Sequence, residues 1–95
     1  MRMMFRWTAP AAKGNQAIAD GSLMEVIENL LEQLQPEAAY FGPEGGKRAG
    51  MIVFDMTDPA QIPQIAEPLL QGLDAEVEFV PVMNVDDLRR ALSGS

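Results

Sequence analysis

The segment from Arg48 to Met56 constrains the fold more than any other part of the chain, because it is the longest nearly unbroken apolar run. It contains β-branched and aromatic residues, it follows Gly45-Gly46, and it precedes Thr57-Asp58-Pro59. A short apolar run between turn-forming residues is typical of a strand that is buried on both faces. We therefore expect this segment to be the central strand of a small sheet.

Three further strands and two long helices are predicted around the central strand. Large apolar residues alternate with mixed ones from Met1 to Trp7, which indicates a first strand, and we expect others at 37–41 and 75–83. Helices are predicted at 22–35 and 58–72, and a short terminal helix starts at Asn84 or Asp86. Residues 9–15 are predicted to form a loop, residues 16–21 either a helical turn or more loop, and residues 42–47 a hairpin loop.

Individual residues predict where these elements begin and end. Ser22 followed three residues later by Glu25 fits a capping box, and Pro36 ends the same helix. Pro68 falls inside the second helix and should kink or shorten it. Pro81 has no N–H to donate, which predicts that the last strand lies at an edge of the sheet.

The order β-α-β-β-α-β is that of the ferredoxin-like split βαβ unit, an α+β fold with a four-stranded antiparallel sheet and two helices on one face. The short C-terminal helix is an addition to this unit. In this topology we expect strands one and three to be parallel neighbours at the centre. We expect strand four to flank strand one, and strand two to flank strand three.

The period of two divides the sheet residues between two faces. The more apolar set should lie under the helices: Met3, Phe5, Trp7, Ile52, Phe54, Met56, Val77 and Phe79. The opposite face then carries Arg2, Met4, Arg6, Thr8, Met51, Val53, Asp55, Glu76, Glu78 and Val80. Because a contiguous apolar patch within this second set usually marks an interface or a ligand site, we expect a second copy of the chain to pack against it.

Composition excludes several function classes. The 95 residues are enough for one domain, 1–95, and 47% of them are hydrophobic, which argues against wholesale disorder. The net charge of −7 disfavours nucleic acid and anionic membrane surfaces as partners. The chain has no cysteine and no histidine, so we expect no disulfide and no thiolate nucleophile, and a metal site would have to use Asp and Glu oxygens alone. We expect neither a metal nor a cofactor. The opening residues are too charged for a signal peptide, and no apolar run could span a bilayer, so we expect a cytoplasmic protein.

The segment Gly50-Met51-Ile52-Val53-Phe54-Asp55-Met56-Thr57-Asp58-Pro59, with Leu73-Asp74-Ala75-Glu76-Val77-Glu78-Phe79-Val80-Pro81-Val82, resembles a small uncharacterised family within the dimeric α/β-barrel (ferredoxin-like) superfamily. The resemblance covers the last half of the chain and the opening strand. It implies a homodimer that pairs sheet to sheet. It also implies a range of activities, since the superfamily includes cofactor-free monooxygenases, muconolactone isomerases, haem-degrading enzymes and proteins without known activity. Haem-binding members commonly use a histidine, which this chain lacks.

The second face carries the candidate site residues. If strands one and three are parallel, Asp55, Arg6 and Glu78 meet at one end of the sheet, where a carboxylate could act as a general base and Arg6 could hold an anionic oxygen. An ion-pair cluster at the dimer interface explains the same residues without catalysis. The ligand-pocket candidates are Met4, Met51, Val53, Tyr40 and Val80.

Two functions of different classes are therefore predicted. The first is a dimeric binding or structural module without catalysis, which could bind a small apolar ligand. The second is a cofactor-independent enzyme of the monooxygenase or isomerase type, with its site between the two sheets of the dimer. A cavity lined by Asp55 and Arg6 would favour the enzyme, and a dry interface with these two residues paired would favour the module.

Overall fold

The computed structural model describes residues 1–94 and shows an α+β chain with a four-stranded antiparallel open sheet and four helices. This architecture is compatible with the ferredoxin-like fold predicted from the sequence. In chain order the elements are β1 (Arg2–Ala9), α1 (Ala11–Ala19), α2 (Ser22–Leu34), β2 (Ala38–Glu44), β3 (Lys47–Asp55), α3 (Gln61–Leu73), β4 (Glu76–Pro81) and α4 (Val85–Leu92).

The strands are arranged in the order β2-β3-β1-β4. The predicted central positions of β1 and β3 and the edge position of β4 are therefore confirmed. The predicted parallel pairing of β1 with β3 is wrong, since the two strands are antiparallel and Arg2 lies opposite Asp55, with Arg6 opposite Met51. The reason is the chain path: the tight hairpin between β2 and β3 reverses the chain, so β3 runs against β1.

The hydrophobic core lies between one face of the sheet and the first three helices. The predicted helix-side residues Met3, Phe5, Trp7, Ile52 and Phe54 are all buried, and Met56, Val77 and Phe79 pack against them. The helices contribute Ala17 from α1, three residues from α2 and three from α3, namely Leu23, Ile27, Leu30, Ile65, Leu69 and Leu73. Three helices, rather than the predicted two, thus cover this face.

Helix α1 is the largest departure from the sequence prediction, because residues 9–15 were expected to form a loop. The helix runs through Gly14, which is buried, and a Cβ at this position would overlap the side chain of Arg48. Gly14 therefore allows α1 to approach β3 closely, although glycine weakens an isolated helix. The close packing against β3 compensates for the weaker helix. This compensation depends on tertiary contacts, and no local sequence pattern predicts it.

The ends of several elements also differ from the prediction. Ser22 makes no capping box with Glu25; instead its N–H donates to the Asp20 carboxylate at 2.8 Å, and Gly21 occupies the N-cap position. Strand β2 continues past the predicted end at Phe41, because the hairpin turn is confined to Gly45 and Gly46, both of which have positive φ as a two-residue turn requires. Helix α3 begins at Gln61 and continues past Pro68.

Helix α4 stands apart from the core, and none of its residues is fully buried. Asn84 starts it with a capping box, in which its side chain accepts from the Asp87 N–H and the Asp87 carboxylate accepts from the Asn84 N–H. The start at Asn84 agrees with one of the two predicted positions. Local capping, rather than burial in the core, stabilises the helical conformation of α4.

Candidate functional site

The sheet face opposite α1–α3, called here the open face, carries alternate residues of all four strands. Pairing between strands arranges them in rows across the sheet. One row consists only of apolar residues, and the next combines a tyrosine, a methionine and an ion pair. The first row is Ala38, Val53, Met4 and Val80, and the second is Tyr40, Met51, Arg6 and Glu78.

The five predicted ligand-pocket residues all belong to these two rows. Met4, Met51, Val53 and Val80 are partly buried by their neighbours, whereas Tyr40 is 67% exposed. The strand register therefore brings the five together on one surface. Their role as a ligand pocket stays a prediction.

The three predicted catalytic residues do not meet within one chain. Arg6 forms an ion pair with Glu78 at 2.8 Å, but Asp55 lies opposite Arg2 and bonds instead to the N-terminal ammonium group of Met1 at 2.7 Å. Arg2 and Arg6 are four residues apart on β1, a distance of about 13 Å at roughly 3.3 Å per residue. The predicted meeting of Asp55 with Arg6 is wrong because it depended on parallel strands.

Asp55 and the Arg6–Glu78 ion pair both lie in surroundings that are open to solvent. The Asp55 side chain is 77% exposed, and those of Arg6 and Glu78 are about half exposed. Arg6 lines a polar groove together with the carboxylates of Glu44, Glu76 and Glu78. Residues 1–94 of a single chain therefore do not enclose a water-excluded reaction site around these groups.

Arg2 is the residue whose importance the sequence did not reveal. Its Nε donates to Glu37 at 2.5 Å and its Nη1 donates to Asp87 at 2.5 Å, so it joins the start of β2 to α4. The hydrogen bond to Glu37 raises the pKa of Arg2 above its ordinary value, and the pKa of Asp87 is lowered, first by the backbone N–H of Asn84 and then by Arg90. The partners are 35 and 85 residues away in the chain, so no local pattern could have indicated them.

Within residues 1–94, no three acidic side chains are grouped so that they could hold a metal ion. No helix in the same part of the chain is long and apolar enough to cross a membrane. A family model described as a domain of unknown function (DUF3303) matches residues 1–95. Among curated proteins, none matches the chain.

Proposed function

Because the chain belongs to the DUF3303 family, whose function is unknown, its role has to be inferred from its surfaces, and we propose that it is a homodimeric binding or structural module without catalysis. In this proposal two copies pack open face against open face, as in the dimeric α/β-barrel proteins that the sequence resembles. The observation that carries the proposal is the apolar row Ala38, Val53, Met4 and Val80, at the centre of a face that none of the helices in residues 1–94 covers.

Several of the charges on the open face are already paired, which reduces the obstacle to burying them in such an interface. Arg6 is paired with Glu78, and Arg2 with Glu37 and Asp87, all within one chain. Since an unpaired charge is expensive to remove from water, this internal pairing lowers the cost of covering the face. The net charge of −7 on each copy still opposes association, so the proposed dimer should become stronger when salt is added.

The size of the face indicates a role for α4. Four strands about 4.8 Å apart and roughly seven residues long offer about 450 Å² of flat area, whereas stable interfaces bury about 800 Å² per partner. The apolar residues Val85, Leu88 and Leu92 follow one side of α4 and are 57%, 40% and 78% exposed. Since Arg2 connects α4 to the open face, this stripe can add the missing apolar area. The same interface would provide the place for a small apolar ligand between the sheets.

The alternative, a cofactor-independent monooxygenase- or isomerase-type enzyme, needs Asp55 near Arg6 and Glu78. The antiparallel register separates these groups within one chain, so a second copy would have to supply its Asp55 beside the Arg6–Glu78 pair. Nothing in the described part of the chain favours that additional condition, and we therefore prefer the non-catalytic module.

Val53→Glu tests the proposed dimer. The new carboxylate would lie in the middle of the apolar row and would be buried without a partner, which should weaken association at least about 100-fold. Sedimentation velocity at micromolar concentration should give a dimer for the unchanged protein and a monomer for the variant, with equal helical content by circular dichroism.

The matched control is Leu70→Glu, which adds the same charge at an exposed position on α3, away from the open face. This control should remain a dimer. A monomeric unchanged protein, or equal loss of association in both variants, would show that the open face is not the interface.

A further inference from the structure

A second surface, on the opposite side of the sheet, has the features of a ligand site. It is a pocket of about 540 Å³ between helix α2 and the edge strand β2. Leu23, Ile27 and Leu31 of α2 form one wall, and Phe41 and Pro43 of β2 form another. This volume lies within the range of about 300–1,000 Å³ that is usual for small-molecule sites, and the lining is mainly apolar, as such sites require.

Two polar groups border this pocket, and each has a buried N–H without an acceptor in the described part of the chain. They are Nε1 of Trp7 and Nε of Arg48. Trp7 is 3% exposed. A buried donor without an acceptor is costly, and native proteins leave few of them, so the presence of two beside one pocket calls for an explanation.

The side chains of Trp7 and Arg48 fit in their positions because the residues packed against them are glycines. A Cβ at Gly50 would lie 2.5 Å from Nε1 of Trp7 and 2.9 Å from Cδ1 of Phe41, so the two rings can approach only over a glycine. A Cβ at Gly14 would overlap the Arg48 side chain, whose Nη2 donates to Asn15 at 2.8 Å. The Arg48 guanidinium is thus held in place from α1, with its Nε still unused.

We propose that this pocket binds a small amphipathic molecule, with an apolar body against α2 and β2 and a carboxylate that pairs with the Arg48 guanidinium; the two covered N–H groups become donors to it only if their side chains turn towards the pocket. Among residues 1–94, Arg48 is the one charged residue in the lining, and it gives the pocket a positive group in a chain of net charge −7. A carboxylate accepts from several donors at once and forms charge-assisted hydrogen bonds with a guanidinium. Neutral and cationic molecules would not offset the charge of the partly buried Arg48 side chain in the same way.

The site is independent of the proposed dimer. Its sheet side includes Trp7, Phe41 and Arg48, whose side chains lie on the helix side of the sheet and not on the open face. A ligand between the open faces of two copies would contact Met4 and Val53 instead. The experiment therefore uses the Val53→Glu chain as well as the unchanged protein, so that failure of the dimer and failure of the pocket can be distinguished.

The probe is decanoate below its micellar concentration, and decanol is the uncharged control of the same chain length. Trp7 is the chain's only tryptophan, so its fluorescence reports directly on the pocket. We expect a saturable change in emission with decanoate and at least about tenfold weaker binding of decanol, the difference that one hydrogen bond to a charged group provides. Amide chemical shifts should change in α2 and the β2–β3 hairpin, in both proteins.

Two pairs of variants identify the groups involved. Arg48→Met should abolish the preference for decanoate over decanol. Asn15→Ala removes only the hydrogen bond that positions Arg48, so this variant should retain the preference. Met24→Glu places a carboxylate at an exposed lining position and should weaken decanoate binding, and Met24→Gln should not. Circular dichroism checks that each variant is folded.

Several results would overturn the proposal. They are the absence of a saturable response to decanoate, equal binding of the acid and the alcohol, and a preference that survives Arg48→Met. Shift changes centred on Met4 of β1 and Val53 of β3 in the unchanged protein, and absent in Val53→Glu, would instead assign the ligand to the interface between two open faces.

Discussion

Gly50→Ala is the substitution that most directly tests the packing beneath the pocket. Gly50 lies in the central strand β3 and is buried between two rings. The added methyl group would meet Nε1 of Trp7 at 2.5 Å and Cδ1 of Phe41 at 2.9 Å, whereas ordinary contacts begin near 3.4 Å. At least one ring must therefore move by roughly 1 Å.

The expected cost follows from two opposing effects. Overpacking a well-ordered core costs about 1–3 kcal/mol, and replacing glycine by alanine within a strand returns about 0.5–1 kcal/mol through the entropy of the unfolded chain. The adjoining pocket offers space into which the indole can shift, so the overpacking cost should not reach its upper limit. With values near the middle of each range, we expect a net loss of about 1 kcal/mol in the free energy of unfolding.

Urea denaturation followed by circular dichroism and by Trp7 fluorescence measures this loss. The same change should lower the Tm by roughly 4–8 °C, shift the emission of native Trp7, and weaken decanoate binding because the indole then occupies the pocket. Gly72→Ala is the matched control, since a Cβ there meets nothing within 4 Å and α3 should gain about 0.5–1 kcal/mol. Unchanged or increased stability of Gly50→Ala, with native Trp7 emission, would refute the reasoning.

The remaining predictions concern the links between α4, the capping of α2 and the rest of the chain. Arg2→Met should release α4 while the sheet stays folded, seen as faster hydrogen exchange confined to residues 85–92; unchanged exchange there would contradict the link to Asp87. The pKa of Asp87 is lower in the folded chain, so its stabilising contribution is complete above the ordinary aspartate pKa and is lost as pH falls through the folded value. The helical ¹³Cα shifts of α4 should therefore decrease below about pH 4, and Asp87→Asn should remove that dependence. Asp20→Ala should lower the Tm by about 2–5 °C through loss of the bond from the Ser22 N–H, and an unchanged Tm would exclude a capping role.

Alternation of residue types was sufficient to assign the two faces of the sheet. Met3, Phe5 and Trp7 alternate with Met4 and Arg6, and a strand turns successive side chains to opposite faces whatever its partners are. Met3, Phe5 and Trp7 are accordingly buried in the folded chain. The same alternation carries no information about the direction of a neighbouring strand, and it is here that the prediction for the site went wrong.

The direction of β3 relative to β1 determines which charged side chains lie near each other. With β1 and β3 antiparallel, Asp55 lies opposite Arg2 and not near Arg6. Each ion pair of Arg2 joins residues far apart in the chain, so it exists only after the sheet has formed and α4 has docked. Sequence spacing can predict ion pairs within one helix, such as Asp87 with Arg90, but it cannot predict ion pairs between elements that only the fold brings together.

The segment from Arg48 to Met56 illustrates the division between what sequence and tertiary structure determine. By itself the sequence determined that this segment is a central strand, with Ile52 and Phe54 facing the core and Val53 facing outward, because burial and pleating follow from local residue types. Only the tertiary structure gave roles to Arg48 and Gly50. Arg48 depends on the close approach of α1 at Gly14, and Gly50 on the indole of Trp7, and both contacts arise from elements distant in sequence whose packing no local pattern encodes.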